Sequence, residues 1–579
     1  MADSLKKRGQ KIARKFSRAT ARANERSNER IRRNIVDRIS HVLSVRLLIF
    51  EWGLLVVALI MLALAQAFWF GDSYAEDVYV SGGTYTEATL GDVSSMNPLF
   101  ATTNSEKVLS KLMFATIATI DYSGHPGNQL AASITASDDG QKWTVKLRDG
   151  LVWSDGEPIT NDDVIFTTEL IKNPAVNTIY ESNLANVKVS VNGEGAIVFE
   201  LPSPYADFMS ALIFPVVPKH ILGNTDPKTL IENNFSNAPV TSGAFTFNAM
   251  QSGGNSNEKV FYLSANENYY LEKPLLNSFA VHTYSSKDDI LNAINAGAVT
   301  ATAELSGNDG DRVASSQFNQ RNSSLNSGAF IFFNMNRKMV NNMEARAAIR
   351  QGIDMERIRE QVPGVTKLDY PLVSSQIQVA EYPVIPAHDY NAAKAKIAEL
   401  MGEAGTVRLD VATVNAGYLP NVTNALAEEL RALGFEVDVS VYEENQEFIN
   451  NVIAKRSYDI LVYEIELGAD PDLLPYYHSS QAVSSGLNLS NYKNVVVDDL
   501  LLGARDTMDA NLRMKKYEAF LKYWVDEVPA IALYQPNLTY YYNKNVRTFG
   551  NDVRLVTVMD RFSDVTNWAA NKAAKNKTP

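Results

Sequence analysis

Cysteine is absent from the 579-residue sequence, and histidine is scarce. Without cysteine the chain cannot build a disulfide scaffold, an iron–sulfur site, a zinc ribbon or a cysteine nucleophile. It also lacks the residue through which many bacterial surface lipoproteins are attached to lipid. The six histidines include no pair spaced four apart, as a helical metal site would need. The sequence therefore predicts neither a metal site nor a cofactor.

Catalytic signatures are missing as well. The sequence contains no G-x-S-x-G nucleophile elbow, P-loop, H-E-x-x-H zinc motif or Rossmann glycine fingerprint. Residues 306–311 (S-G-N-D-G-D) have some likeness to a calcium loop, but they lack the regular acid spacing and the closing glutamate. A polar surface turn is the favoured interpretation of this segment. We therefore expect a protein that is not an enzyme.

Positive charge is concentrated at the N-terminus, although the whole chain has a net charge of −12. Residues 1–46 contain 14 lysines and arginines and four acidic residues, which gives a net charge of +10. The remaining residues contain 40 basic and 62 acidic side chains and carry −22. A basic segment on an acidic body indicates contact with an anionic membrane surface or with nucleic acid.

The next segment, residues 52–70, contains no charged residue. A helix of this length is about long enough to cross a hydrocarbon core about 30 Å thick. Trp52 and Trp69 lie near its ends, where aromatic belts form. The positive-inside rule then places the basic residues in the cytoplasm and the bulk of the chain outside. We therefore predict a basic cytoplasmic segment at 1–46, a transmembrane helix at 47–70 and a linker at 71–82.

Two other interpretations of this N-terminal region remain open. Ala65 and Ala67 flank Gln66 in a small-x-small pattern that fits a cleaved signal peptide, although the basic region is longer than a signal peptide needs. A nucleic-acid-binding arm is less favoured, because the basic residues are not interleaved with aromatic side chains. An uncleaved signal anchor is the favoured interpretation.

The rest of the sequence contains no repeat and no second long apolar run. Between residues 391 and 465, three helical patterns alternate with three strand patterns, joined by short connections. Such alternation is typical of a parallel sheet flanked by helices. Residues 84–247 are richer in strand patterns and favour a mixed α+β lobe.

Short motifs then occur in a recognisable order. They are Gly83-Thr84, Met96-Asn97-Pro98-Leu99, Leu147-Arg148-Asp149-Gly150, Pro239-Val240-Thr241-Ser242-Gly243, Phe333-Asn334 with Arg346 and Ile353-Asp354, Asp470-Pro471-Asp472, His478-Ser479-Ser480 and Pro529-Ala530-Ile531-Ala532-Leu533-Tyr534. Together they resemble the family 5 extracytoplasmic solute-binding proteins, the peptide, nickel and oligosaccharide receptors of ABC importers. Each motif is weak alone, but their order extends the resemblance over about residues 82–550.

The resemblance implies an α/β fold of the large, three-subdomain periplasmic-binding-protein type, in which two lobes joined by a hinge enclose a ligand. The strands at 330–334 and 530–534 are predicted to cross between the lobes. The predicted domains are a first lobe at 83–330 with 531–565, which includes a subdomain at about 118–215, a second lobe at 331–530 and a C-terminal tail at 566–579.

The ligand contacts of the family transfer poorly to this sequence. In peptide-binding members, the strand before the D-P-D segment carries a tryptophan and an aspartate that pairs with the peptide's α-ammonium group. The corresponding run here contains Tyr463, Glu464, Glu466 and Leu467, with neither of those residues in the expected place. Strand alternation puts Glu464 and Glu466 on one face, where they favour a cationic ligand if that face meets the cleft. A solvated strand face is the alternative.

Trp153 and Asn334 are two further candidate ligand contacts. Trp153 lies between two Asp-Gly turns and is predicted to belong to the core or rim of the subdomain, with ligand stacking as the alternative. Asn334 ends a predicted crossing strand, where hydrogen bonding at the hinge is favoured over ligand contact.

The resemblance implies a receptor that captures a small hydrophilic solute, foremost an oligopeptide, and delivers it to the permease subunits of an ABC transporter. With the predicted N-terminal helix, this receptor is expected to be anchored in the membrane. The predicted partners are this solute, the permease and the membrane through one helix, but not nucleic acid. A membrane-anchored ligand sensor with the same fold is the alternative function. An extracytoplasmic hydrolase is less favoured.

Overall fold

The computed structural model describes residues 46–576 apart from 122, 185, 254–257, 374, 378, 444–445 and 551–552, and before residue 46 only residues 17, 20, 24, 25 and 29. The chain divides into two compact units, Met1–Val78 with Ala573–Pro579, and Tyr79–Lys572. The basic segment predicted at 1–46 therefore lies almost wholly outside the described residues.

The first unit contains a helix of 29 residues, Arg46–Tyr74, which encloses the span predicted at 47–70. Side chains in this helix are described from Phe50 to Gln66, and the large apolar ones are exposed. Among the helices described, none has the length and apolarity needed to cross a membrane. The segment predicted as a linker, 71–82, contains the end of this helix and a strand.

The strands are numbered along the chain. They are β1 Ala75–Val80, β2 Thr84–Leu90, β3 Ala118–Ile120, β4 Pro126–Asn128, β5 Ala131–Ala136, β6 Lys142–Leu147, β7 Lys188–Val191, β8 Ile197–Glu200, β9 Phe245–Ser252, β10 Lys259–Ala265, β11 Ser278–Tyr284, β12 Ala301–Thr302, β13 Phe318–Ser324, β14 Ser327–Phe333, β15 Thr366–Lys367, β16 Arg408–Val414, β17 Glu436–Tyr442, β18 Ile460–Glu466, β19 Ala530–Gln535, β20 Asn537–Asn543 and β21 Asn571–Asn576.

Helices pack on the faces of these sheets. The longer ones in the second unit are Asn104–Met113, Asn161–Lys172, Lys287–Asn295, Met343–Gly352, Tyr390–Met401, Leu419–Leu433, Val495–Asp506 and Ala510–Glu527. Their ends follow the local sequence: Thr103 and Glu106 form a capping box at the start of Asn104–Met113. Leu419–Leu433 carries a proline in its first turn, where no backbone N–H is needed, and ends at Gly434 with a left-handed φ of 111°.

Seven strands form the first large sheet, in the order β13-β20-β12-β2-β11-β10-β9. Strand β2 runs parallel to β11 and β12, and the other pairings are antiparallel. A four-stranded antiparallel sheet, β5-β6-β8-β7, falls within the residues predicted as a subdomain. Both sheets contribute to one hydrophobic core, which includes Trp143, Phe199, Phe279 and Trp568. We call these elements the first lobe.

Six strands form the second large sheet, in the order β15-β19-β14-β18-β16-β17. Strand β16 pairs in parallel with β17 and β18, which confirms the parallel arrangement predicted from the alternation at 391–465. Strands β14 and β19 pair antiparallel to their neighbours, so the whole sheet is mixed. We call this sheet and the helices packed on it the second lobe.

The chain passes between the two large sheets at two neighbouring points. The first passage, at 325–326, joins β13 to β14, and the second, at Pro536, joins β19 to β20. The predicted crossing strands at 330–334 and 530–534 lie within the second sheet instead. Their continuous apolar sequence is explained by full burial in that sheet, with all six residues of β19 buried. The passages themselves are short irregular links.

The first lobe also includes residues 566–572 of the segment predicted as a C-terminal tail, 566–579. Trp568 is fully buried, and its indole Nε1 donates a hydrogen bond to Asp564 Oδ1 at 2.8 Å. Its ring packs against Tyr85 and Phe562 with centroid distances of 5.1 Å and 5.3 Å. The predicted boundary at 565 therefore falls inside a packed segment, because one aromatic residue after it completes the core.

A buried ion pair joins the N-terminal and C-terminal segments of the first lobe. Glu87 of β2 and Arg561 are both almost completely buried, with Arg561 Nη2 2.7 Å and Nε 3.1 Å from Glu87 Oε1. The hydroxyl of Tyr540 donates to the other carboxylate oxygen at 2.8 Å. Burial of such a pair is tolerated only while each charge keeps its partners.

We expect Arg561→Met to lower the free energy of unfolding by about 3–5 kcal/mol, because it leaves the Glu87 carboxylate buried without a counter-charge. Urea denaturation of the purified protein measures this loss. The double variant Glu87→Gln/Arg561→Met removes both charges and should recover part of the stability. Equal losses in the two variants would show that the pair acts only through packing.

Candidate ligand-binding cleft

A cavity of about 410 Å³ lies between the two lobes of the second unit. The first lobe contributes Asp311, Gln320, Asn322, Thr539 and Tyr541. The second lobe contributes Val362, Pro363, Gly364, Val365, Gly417, Tyr418, Glu464 and Tyr534. Leu325 and Pro536, at the two chain passages, complete the wall. The cavity therefore lies where the lobes join, and its volume is in the usual range for sites that hold small molecules.

Strand register explains the polar row on the first-lobe wall. Gln320 pairs with Tyr541, and Asn322 pairs with Thr539, across the antiparallel strands β13 and β20. Directly opposite residues point to the same face of a sheet, and so do residues two apart on one strand. These four side chains therefore form one surface that meets the cavity.

Two carboxylates line the cavity from opposite lobes. Glu464 lies in β18, and the hydroxyl of Tyr534 donates a hydrogen bond to its Oε1 at 3.1 Å. Asp311 follows the short helix Gly307–Gly310 of the first lobe. Among the described lining residues there is no lysine, arginine or histidine. The charged side chains among the described lining residues are therefore both acidic.

Three tyrosines accompany these carboxylates. Burial and the neighbouring Glu464 raise the pKa of Tyr534 well above its usual value. Burial and then Asp311 raise the pKa of Tyr418 and of Tyr541. Each hydroxyl therefore stays protonated and can donate a hydrogen bond, while the ring faces remain attractive to a cation.

The structure separates the candidate residues of the strand before the D-P-D segment. Glu464 lines the cavity, whereas Glu466 is exposed and lies outside the lining. Tyr463 is half-buried, with its ring 5.9 Å from that of Phe448. Leu467 is buried in the core of the second lobe. These placements bring one of the four candidates, Glu464, to the cavity wall.

Trp153 and Asn334 lie away from the cavity lining. Trp153 is fully buried in the core of the first lobe. Asn334 is also buried and binds the carbonyl oxygens of Arg456 and Tyr458 at 3.0 Å and 2.8 Å. It follows the end of β14 that is remote from the chain passage, roughly 25 Å along the strand. The contacts of Asn334 thus join the end of β14 to the segment before β18.

Sequence reasoning did not select four of the cavity residues: Asp311, Tyr418, Tyr534 and Tyr541. Asp311 belongs to the S-G-N-D-G-D segment, whose polar character was visible but favoured a surface turn. Tyr534 ends a strand motif that was predicted only to cross between the two lobes. Nothing local marks Tyr418 or Tyr541, because their role depends on how the two lobes meet. No group of three or more His, Asp or Glu suited to a metal ion occurs in the described part of the chain.

Leu467 belongs to the run in which the resemblance leads one to expect an aspartate. We expect Leu467→Asp to lower the free energy of unfolding by at least about 2 kcal/mol, because the carboxylate would replace a leucine that is 4% exposed in an apolar core. Leu467→Met is the matched control and should cost less than about 1.5 kcal/mol. Urea denaturation compares the two variants. Unchanged stability in Leu467→Asp would mean that this position can turn towards solvent or the cavity.

Solved structures with the same fold are found in several bacteria. The oligopeptide-binding protein AppA of Bacillus subtilis, solved in complex with a nonapeptide, has a TM-score of 0.70 and 22% identity over 85% of this chain and 99% of its own. NikZ of Campylobacter jejuni, solved with Ni(L-His), also has a TM-score of 0.70, with 21% identity over 84% of this chain and 99% of its own. These similarities show the fold.

Sequence comparison agrees with the structural one. The curated relative AppA of Bacillus subtilis, an oligopeptide-binding protein, is 24% identical over 488 residues, which are 79% of this chain and 87% of the relative. The model of the family "Bacterial extracellular solute-binding proteins, family 5 Middle" matches residues 125–485, more than half of the chain. The chain therefore belongs to the family 5 bacterial extracellular solute-binding proteins.

Proposed function

We propose that this protein is the receptor of an ABC importer and that it captures an oligopeptide, or another small solute with a positively charged group, between its two lobes. The observation that carries the proposal is the pair of carboxylates, Asp311 and Glu464, in a cavity with no basic side chain among its described lining residues. Such a wall attracts an ammonium or guanidinium group and repels an anion.

Support for a peptide ligand comes from a similar protein and from the polar side chains that line the cavity. The similar protein of Bacillus subtilis is an oligopeptide-binding protein. The amides of Gln320, Asn322 and Asn537 line the cavity beside the tyrosines. Amide side chains can both donate to and accept from a peptide backbone. NikZ of Campylobacter jejuni shares the fold and was solved with Ni(L-His), so the ligand class is argued here from the cavity residues and not from the fold.

The two carboxylates belong to different lobes, which gives the ligand a role in closure. A cation between Asp311 and Glu464 attracts both walls, so its binding energy favours the arrangement in which the lobes are close. Since the lobes are joined by two short passages, a hinge movement can separate them. The permease would then distinguish the loaded receptor by this closed arrangement.

Glu464→Gln tests the charge of the cavity. We expect a lysine-containing tripeptide to bind the full-length protein, and the variant to bind it about tenfold more weakly or worse, because a neutral amide replaces the carboxylate and the attraction between opposite charges is lost. Isothermal titration calorimetry measures the two affinities. Glu466→Gln is the matched control, since this residue is exposed on the same strand outside the lining, and it should leave the affinity unchanged.

A mixed peptide library, followed by mass spectrometry of what remains bound, extends this test to ligands of unknown sequence. Retained peptides should carry a free amino group, a lysine or an arginine. Retention of acidic or uncharged solutes alone, or equal effects of the two glutamate substitutions, would contradict a cation site at Glu464.

We propose in addition that the helix Arg46–Tyr74 anchors the protein in the membrane. Its side chains from Trp52 to Leu64 are apolar and exposed, and exposed apolar surface of this extent calls for an apolar partner. The net charge of +10 on residues 1–46 favours a cytoplasmic position for the preceding segment. A tether of this kind would raise the effective concentration of the receptor near its permease.

Carbonate extraction of bacterial membranes tests the anchor. We expect the full-length chain to remain in the membrane pellet and Leu59→Arg/Leu62→Arg to move to the supernatant, because each arginine at a helix centre costs about 2.5–3.5 kcal/mol of insertion. Leu502→Arg/Leu512→Arg is the control, as both leucines are exposed on the second lobe. Release of the unaltered chain, or a mature protein that begins after Ala67, would contradict the anchor.

A further inference from the structure

We propose that the first lobe holds a second binding site, specific for a phosphate group, on the side of β13 and β20 opposite the cleft. The site is a cavity of about 410 Å³, which we call the cationic pocket. The side chains that matter to the argument are Arg321, Lys544 and Arg547, with Asn319, Thr548 and Asn567 beside them. It is independent of what the cleft binds.

The strands β13 and β20 separate the two sites by their alternation. Gln320, Asn322 and Tyr541 line the cleft, whereas the intervening Arg321 and Tyr542 line the cationic pocket. Since successive side chains point to opposite faces, one pair of strands forms a wall of both sites. The cleft also contains the acids Asp311 and Glu464, which come from other elements, whereas the cationic pocket contains three basic side chains, so an anion repelled at the first site meets attraction at the second.

The three cations are held in place by neutral groups. Arg321 donates to the Thr548 hydroxyl at 3.2 Å and to the Tyr542 hydroxyl at 3.3 Å. Lys544 Nζ donates to the carbonyl oxygens of Ser315 and Ser316 at 2.9 Å and 3.0 Å. Arg547 Nε donates to the carbonyl oxygen of Asn567 at 2.6 Å. These bonds fix the side chains without neutralising their charge.

No carboxylate among the described residues lies within ion-pairing distance of these three side chains. The acidic residue among the described lining residues is Asp564, which accepts the indole N–H of Trp568 at 2.8 Å. The pocket thus gathers positive charge in a chain whose net charge is −12. Three basic side chains against one acidic side chain among the described lining residues leave an excess of positive charge, and an anionic ligand would reduce the repulsion between the basic groups.

Aromatic rings pack against the two guanidinium groups of the pocket. Arg321 lies over the rings of Tyr542 and Phe549, 5.1 Å and 4.7 Å from the centroids. Arg547 lies over the ring of Tyr79 at 5.2 Å. Stacking uses the faces of the guanidinium planes and leaves their edges to donate. Each arginine has five N–H groups, so several remain for an anion after the bonds described above.

A phosphate fits this arrangement better than a carboxylate. The donors come from a strand, from the segment after β20 and from the segment near Asn567, so they approach from several directions. A tetrahedral dianion offers acceptors in all of these directions, and arginine with lysine is the usual combination that binds it. The volume leaves space for the organic part of a phosphate ester or of a phospholipid headgroup.

Calorimetry on the full-length protein tests the pocket with two probes, glycerol 3-phosphate and dihexanoyl phosphatidylglycerol. Glycerol and dihexanoyl phosphatidylcholine serve as the counterparts without net negative charge. Binding of both charged probes indicates recognition of the phosphate itself. Binding of the soluble ester alone, or of the lipid alone, identifies the natural source as a free phosphate ester or as a membrane headgroup. The affinity should fall as salt is added.

Lys544→Gln/Arg547→Gln should weaken the binding of the charged probe by at least about tenfold, because two hydrogen bonds to a charged group are lost. Lys146→Gln/Lys188→Gln changes the net charge equally on the exposed four-stranded sheet and should leave the affinity unchanged. Glu464→Gln, in the cleft, should leave it unchanged too. Failure of both charged probes to bind, unaltered binding in the Lys544/Arg547 variant, or sensitivity to Glu464→Gln would each overturn the proposal.

Discussion

The two passages of the chain between its large sheets are hydrogen-bonded to each other. The backbone N–H of Leu325 donates to the carbonyl oxygen of Pro536 at 2.9 Å, and the side chain of Gln535 donates to the carbonyl oxygen of Leu325 at 2.7 Å. Both Leu325 and Pro536 also line the cleft. The connection that joins the lobes is therefore part of the ligand cavity, and any change in the angle between the lobes changes the cavity too.

The acidic residues of the cleft meet only where the two lobes join. Asp311 is held by the first lobe and Glu464 by the second, and neither lobe alone presents both charges. Tyr534 lies near the end of β19, the strand that leads to Pro536, and its hydroxyl donates a hydrogen bond to Glu464. The carboxylate of the second lobe is therefore in contact with the strand that enters the passage. Recognition of a cationic solute and closure of the lobes would then use the same few contacts.

Membership of the extracellular solute-binding family places the bulk of the chain outside the cytoplasm. Within that setting the two faces of β13 and β20 meet different surroundings. The cleft face presents the neutral polar side chains of Gln320, Asn322, Thr539 and Tyr541, and the opposite face presents Arg321, beside Lys544 and Arg547 of the segment that follows β20. One pair of strands therefore separates the cleft from the cationic pocket.

The sequence by itself determined the family, the α/β class and the elements that depend on local pattern. The alternation of helical and strand patterns at 391–465 was enough to predict the parallel strands β16, β17 and β18. Each of these helices and strands buries one face, and this leaves a periodic pattern of apolar residues in the local sequence. Glu464 could be named as a candidate because it stands beside a recognisable motif. Only the tertiary structure decided that Glu464 meets the cavity while Glu466 and Leu467 do not, that Asp311 and three tyrosines join it, and that Trp568 completes a core predicted to end before it. The reason is physical: these roles arise from contacts between segments hundreds of residues apart, and no local periodicity records which distant surface a side chain will face.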